Sequence, residues 1–216
     1  MILLLDLDDT LVERTAAFTV WARRFVDGLG GGGEDVAFVV AADGDGRTPR
    51  AEVARRLLAR FALTLTEEQM VDVLLHDHVA DVRAATGVVA RLEQLGEAGV
   101  TRVLVSNGVG SQQRAKLEAT GLGAVLDHVV VSGEVGLAKP DPAVYRHALA
   151  LAGGAAEDAW MVGDHPEADV RGPGRLGLRT GWVHGGRRWT GDGAPTVAAA
   201  TAAEVLDLVR REAAGA

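Results

Sequence analysis

The sequence predicts an α/β fold, a Rossmann-like doubly wound parallel sheet carrying an inserted, mostly helical segment. Three observations predict it. Short apolar runs at Ile2–Leu5, Val103–Val105, Val129–Val131 and Trp160–Val162, with a weaker one at Gly181–Val183, each end in polar or glycine residues. Runs of this kind, apolar on both faces, suit parallel strands covered by helices. From residue 86 onward, helical patterns lie between these runs, which is the doubly wound alternation. A length of 216 residues accommodates one α/β domain with a smaller insert.

The first run leads directly into Asp6-Leu7-Asp8-Asp9-Thr10, and residues 14–85 then break the alternation. Phe18, Trp21, Ala22, Phe25 and Leu29 recur at helical spacing, and Thr48-Pro49 opens a second helix bearing Val53, Leu57 and Phe61. Thr66 with Gln69 is a capping box for a third, carrying Met70, Val73 and Leu74. Gly30–Gly33 and Asp43–Gly46 read as loops between them. The domain organisation is therefore a core of residues 1–13 and 86–216 with a helical insert at 14–85.

In the core, Val89, Leu92 and Leu95 form a helical stripe that stops at Gly99, and a second segment runs from Ser111 to Gly121. Asp141-Pro142 supplies an N-cap and a first-turn proline for a helix with Val144, Ala148 and Leu151. Gly172-Pro173-Gly174 falls where a further helix belongs and predicts a short or broken one. Thr201 and Glu204 form another capping box before Val205, Leu206 and Val209.

Composition excludes several functions. Without cysteine there is no disulfide, zinc–thiolate site or thiol nucleophile. A net charge of −8 argues against a nucleic-acid partner, which needs a basic surface. Met1–Leu5 is apolar but meets acidic residues at once. It lacks the basic start and the apolar stretch of roughly 7–15 residues of a signal peptide, and it is too short to span a membrane. A cytoplasmic location is expected. Lys116 and Lys139 are the two lysines among 22 basic residues, so each marks a position worth following.

Ligands of open α/β sheets gather at the carboxyl ends of the strands. Those ends carry Asp6 and Asp8 after the first run, Ser106-Asn107 after the second, Lys139-Pro140 beyond the third, and Asp164 with Asp169 after the fourth. Four carboxylates in a partly dry cleft repel one another, and one lysine does not offset them. A hard divalent cation does. An all-oxygen ligand set points to Mg²⁺, a usual partner of substrate phosphate. Lys139, Ser106 and free backbone N–H groups would hold the remaining phosphate oxygens.

These four motifs, in this order, resemble the haloacid dehalogenase-like hydrolase superfamily, over essentially the whole chain, with the insert where many members carry a helical cap. The resemblance implies that Asp6 is a nucleophile forming an aspartyl-phosphate and Asp8 a general acid and then base. Thr10 would help to orient Asp8. Ser106 and the Asn107 backbone would hold phosphate, and Lys139 would bridge phosphate and Asp6. Asp6, Asp164 and the backbone carbonyl of Asp8 would bind Mg²⁺, with Asp169 close by. Dehalogenases of the superfamily expel halide, which needs no proton, and as a rule lack an acid at the position of Asp8. The expected function is thus hydrolysis of a small soluble phosphomonoester, such as a nucleotide or sugar phosphate. A phosphomutase, a 2-haloacid dehalogenase and a non-catalytic binding module are the alternatives, and oligomeric state is left open.

Other residues carry weaker signals. Asp9 is expected to cap the following segment. His165, next to Asp164, is a candidate for substrate contact, whereas His76 and His78 are two apart and share no helix face. Arg14 and Arg47 could reach substrate, and Arg187-Arg188-Trp189 is too short for a nucleic-acid patch.

Overall fold

The computed structural model describes residues 1–214. Six parallel strands form one sheet in the order β3-β2-β1-β4-β5-β6. They are β1 (Ile2–Leu5), β2 (Thr101–Ser106), β3 (His128–Val131), β4 (Ala159–Gly163), β5 (Arg179–Val183) and β6 (Val197–Ala199). The first five contain the apolar runs. The short β6, only partly buried, has no such run.

Packing divides the chain into two units, Met1–Val12 with Ala84–Ala216, and Glu13–Arg83. The second unit is helical: α1 (Arg14–Gly28), α2 (Gly33–Asp43), α3 (Arg50–Phe61), α4 (Glu67–His76) and a 3₁₀ turn at Asp77–Asp81. Its core gathers Phe18, Trp21, Val26, Val39, Val53, Leu57, Met70 and Leu74. Thr66 and Gln69 form the expected reciprocal cap of α4. Helix α2 corrects the three-helix expectation. Asp43, read as part of a loop, ends α2 buried between Arg14 and Arg50, and these guanidinium groups outweigh its burial and hold its carboxyl below the usual range. Arg14 is thereby committed to a buried ion pair. His78 is fully buried, edge-on to Phe18.

In the first unit, α5 (Val88–Glu97), α6 (Gly110–Thr120), α7 (Ser132–Val135), α8 (Pro142–Ala152), α9 (Gly172–Gly174) and α10 (Ala202–Ala214) surround the sheet. The face bearing Ile2, Leu4, Val103, Val105 and Met161 packs on Val144, Tyr145, Ala148 and Leu149 of α8. The opposite face meets α5 and α10, which are tied together by the ion pair of Arg91 and Asp207. Asp141 caps α8, its Oδ1 accepting from Ala143 N at 2.8 Å. The Gly-Pro-Gly segment is broken as expected: a π-helical turn at Pro166–Arg171 runs into the single turn α9.

The strand order places the site. Leu5 lies opposite both Leu104 of β2 and Val162 of β4, so Asp6 emerges level with Gly163 and one residue short of Ser106. No helix among the described residues is long and apolar enough to cross a membrane. Leu4 is fully buried in the central strand; Leu4→Ala is expected to destabilise the chain by about 2–5 kcal/mol, measured as a lower urea midpoint at unchanged slope.

Candidate active site

Asp6 follows β1, and its N–H donates to Val162 O of β4 at 2.9 Å, which continues the ladder one step past the strand. Its buried carboxylate accepts from Lys139 Nζ at 2.6 Å, and the same ammonium reaches Asp169 Oδ1 at 2.7 Å. Asp169 is fully buried; its other oxygen accepts from His165 N at 2.9 Å. Asp6, Asp164 and Asp169 each offer an oxygen, and these atoms lie within 4.8 Å of one another.

Several side chains outside this cluster hold it in place. Asn107 clasps the Lys139 backbone from both sides, its Nδ2 donating to Lys139 O and its Oδ1 accepting from Lys139 N, each at 2.8 Å. Tyr145 of α8 donates its hydroxyl to Ala168 O, which fixes the turn carrying Asp169. Gly163 is required by close approach: a Cβ there would stand 2.3 Å from Asp169 Cγ.

The electrostatics follow from this crowding. Burial, reinforced by Asp169 and Asp164 against the opposing pull of Lys139, pushes the Asp6 carboxyl up to about 8. Burial and Asp169 push Asp164 up to about 6, although Arg187 donates to its Oδ2 at 3.1 Å. Burial alone would lower Lys139, but Asp169 and Asp6 outweigh it and raise it. Three carboxylates beside the Lys139 ammonium and the Arg187 guanidinium still leave an excess of negative charge. A divalent cation among three hard oxygen donors would relieve it, so the residues present fit such an ion.

Asp8 is oriented differently. Its carboxylate accepts from Lys116 Nζ at 2.7 and 2.8 Å and from Gln113 Nε2 at 3.1 Å. Gln113 Nε2 also donates to Ser106 Oγ at 2.7 Å, so Asp8 and Ser106 share one buried amide. The Thr10 hydroxyl is buried and has no hydrogen-bond partner among the described residues. Asp9, expected to cap the next segment, lies four residues before the cap position of helix α1. Helix α1 begins at Arg14 with Glu13 in the cap position, and Asp9 takes a left-handed backbone, φ 55°, in the turn after β1. His165 serves as a cap, its Nδ1 accepting from Glu167 N and Ala168 N at 3.2 Å. Lys116, Gln113 and Arg187 joined no motif in the sequence. For Lys116 the signal is its rarity; Arg187 has only its place in the Arg187-Arg188-Trp189 cluster, and Gln113 has none.

A family model for haloacid dehalogenase-like hydrolases matches residues 1–177, and the chain belongs to this family. Over 99 residues it is 46% identical to phosphoserine phosphatase of Thermus thermophilus, covering 46% of this chain and 40% of that protein. Over 108 residues it is 36% identical to pyrimidine 5'-nucleotidase YjjG of Escherichia coli, covering 49% and 48%. The matches thus span less than half the length of either curated relative. Among solved structures, the magnesium-bound HAD-hydrolase YfnB of Bacillus subtilis superposes with a TM-score of 0.80 at 21% identity, over 96% of this chain and 97% of that one. This last likeness is one of fold.

The raised carboxyls make stability depend on pH. The folded chain keeps these protons up to about 8 on Asp6 and about 6 on Asp164, while unperturbed carboxyls release them at 3.8. Between those values the native state binds more protons than the unfolded one, so stability is lost as pH rises. With chelator present, the thermal midpoint is expected to fall from about pH 5 to about pH 8, and to fall less steeply in Asp164→Asn. A midpoint that climbs across this interval in the parent chain contradicts the electrostatic account.

Proposed function

We propose that the chain is a Mg²⁺-dependent hydrolase of a small phosphorylated metabolite that works through an aspartyl-phosphate on Asp6. The observation that carries the reading is the division of labour between two carboxylates two residues apart. Asp6 sits in the charge cluster with Lys139 and Asp169, whereas Asp8 is turned to Lys116 and Gln113. One is placed for attack and the other for proton transfer. The relatives named as a phosphoserine phosphatase and a pyrimidine 5'-nucleotidase support the phosphoester class.

In the first step an Asp6 oxygen attacks phosphorus and forms the acyl phosphate. The bond from phosphorus to the ester oxygen breaks with its electron pair, and that oxygen takes the proton of the Asp8 carboxyl. In the second step Asp8, now a carboxylate, accepts a proton from water as the water oxygen attacks phosphorus. The bond to Asp6 then breaks, releasing phosphate and the free carboxylate. Two displacements of this kind replace one harder one. Lys139 neutralises charge shared between Asp6 and the phosphoryl oxygens. Ser106 and the Asn107 backbone would hold the other oxygens. Asp6, Asp164 and Asp169, with the backbone carbonyl of Asp8, would hold Mg²⁺, which when bound neutralises charge on the transferring group. The cap role that the family resemblance gives to such an insert is assigned to the Glu13–Arg83 unit.

Asp8 favours this reading over halide release, which needs no proton donor. Phosphate release from a panel of phosphorylated metabolites is expected to require Mg²⁺ and to stop with chelator and in Asp6→Asn. Asp8→Asn is expected to lower turnover by about 10²–10⁴-fold. Undiminished activity in purified Asp6→Asn, or transfer of the phosphoryl group back to a sugar in place of release, would overturn the assignment.

A further inference from the structure

We propose that Lys116 is a positioning residue for Asp8, acting with Gln113 as a helix-borne clamp that holds the proton-transferring carboxyl in register with the ester oxygen. The proposal rests on the phosphatase reading and extends it to a side chain outside the four motifs.

The chain has two lysines, and the fold buries both: Lys139 is 6% exposed and Lys116 only 1%. Taking an ammonium out of water costs several kcal/mol unless it is paired and hydrogen-bonded. Lys139 meets that requirement in the charge cluster. Lys116 meets it at Asp8, almost equidistant from the two carboxylate oxygens at 2.7 and 2.8 Å. This geometry fixes the plane of the carboxyl as well as its place. Gln113 sits three positions earlier on α6, on the same helix face, and is fully buried. Its Nε2 touches Asp8, Ser106 and the Asn107 carbonyl at 3.1, 2.7 and 3.1 Å. Its Oε1 is buried and has no partner among the described residues, so the amide spends its hydrogen-bonding capacity as a donor toward the site.

Asp8 itself lies in the loop after β1 and is partly exposed, with 30% of its side chain accessible. Left to that loop, its carboxyl would sample several rotamers. Support from a regular helix gives tighter placement than support from a loop. Such placement matters most when a proton must reach the departing oxygen as its bond to phosphorus breaks. An aryl phosphate leaves as a stabilised phenolate and needs that proton little; an alkyl phosphate leaves as an alkoxide and needs it acutely.

The test exploits this difference. The kcat/KM values for 4-nitrophenyl phosphate and glycerol phosphate are measured with Mg²⁺ in the parent chain, Lys116→Met, Asp8→Asn and the double variant. For kcat/KM the first irreversible step decides, so only the departure of the leaving group is read. Lys116→Met is expected to lower the value for glycerol phosphate by about 10²-fold and that for the aryl ester much less. Added to Asp8→Asn, it is expected to lower neither further, because the clamp acts through Asp8. Equal losses on both esters, or full additivity in the double variant, assign Lys116 to the fold alone and overturn the proposal. If Lys116→Met fails to fold, Lys116→Gln, whose shorter neutral amide cannot hold both carboxyl oxygens of Asp8, carries the same comparison, with a smaller expected loss confined to glycerol phosphate. A parent chain inert toward every phosphoester defeats the phosphatase reading and the clamp together. An active parent with an unchanged ester ratio in the variant defeats the clamp alone.

Discussion

Three carboxylates crowd together at the carboxyl ends of β1 and β4, two of them sharing the buried Lys139 ammonium and the third paired with Arg187, and much of the surrounding structure exists to keep them there. Asp6, Asp164 and Asp169 would spread apart in water; the strand ladder, the Pro166–Arg171 turn and the Lys139 loop hold them together. Burial compounds the repulsion and drives Asp6 toward its protonated form. In the proposed reaction Asp6 must be ionised to attack, and a cation held by the cluster would favour that form.

Holding such a cluster requires unusual backbone and side-chain economy. Gly163 has no Cβ where Asp169 must pass. Asn107 uses both ends of its amide to hold the lysine loop, and Tyr145 ties α8 in the sheet core to the turn that carries Asp169. On the other side of Asp6, α6 presents Lys116 and Gln113 to Asp8. Asp6 and Asp8 thus belong to two separate electrostatic environments, each with its own buried lysine. Carboxylates placed in different environments are suited to different roles.

The sheet was legible because parallel strands buried on both faces leave apolar runs with polar ends, and five of the six strands contain one. The edge strand Val197–Ala199 was not: three residues, half-exposed, carry no pattern. Helix α2 has no clear sequence signature because it starts at Gly33 within a glycine run, its cap residue Gly32 has no side chain, and it buries just Val39, Ala42 and Asp43. In the site, the four motifs were readable because each lies at or shortly beyond a strand end, Lys139 being separated from β3 by the short helix α7. Lys116, Gln113 and Arg187 were not, since their partners lie far away in sequence and the contacts arise only from strand order and helix register. The rarity of lysine in an arginine-rich chain pointed to Lys116, but not to Asp8.

The covalent role of Asp6 is tested most directly by acid-quenching the protein during turnover of a phosphorylated metabolite with Mg²⁺ and mapping the digest by mass spectrometry. The account predicts one added phosphoryl group, confined to the peptide containing Asp6 and removed by hydroxylamine, as an acyl phosphate must be. Sustained phosphate release with the phosphoryl group on another residue would contradict it.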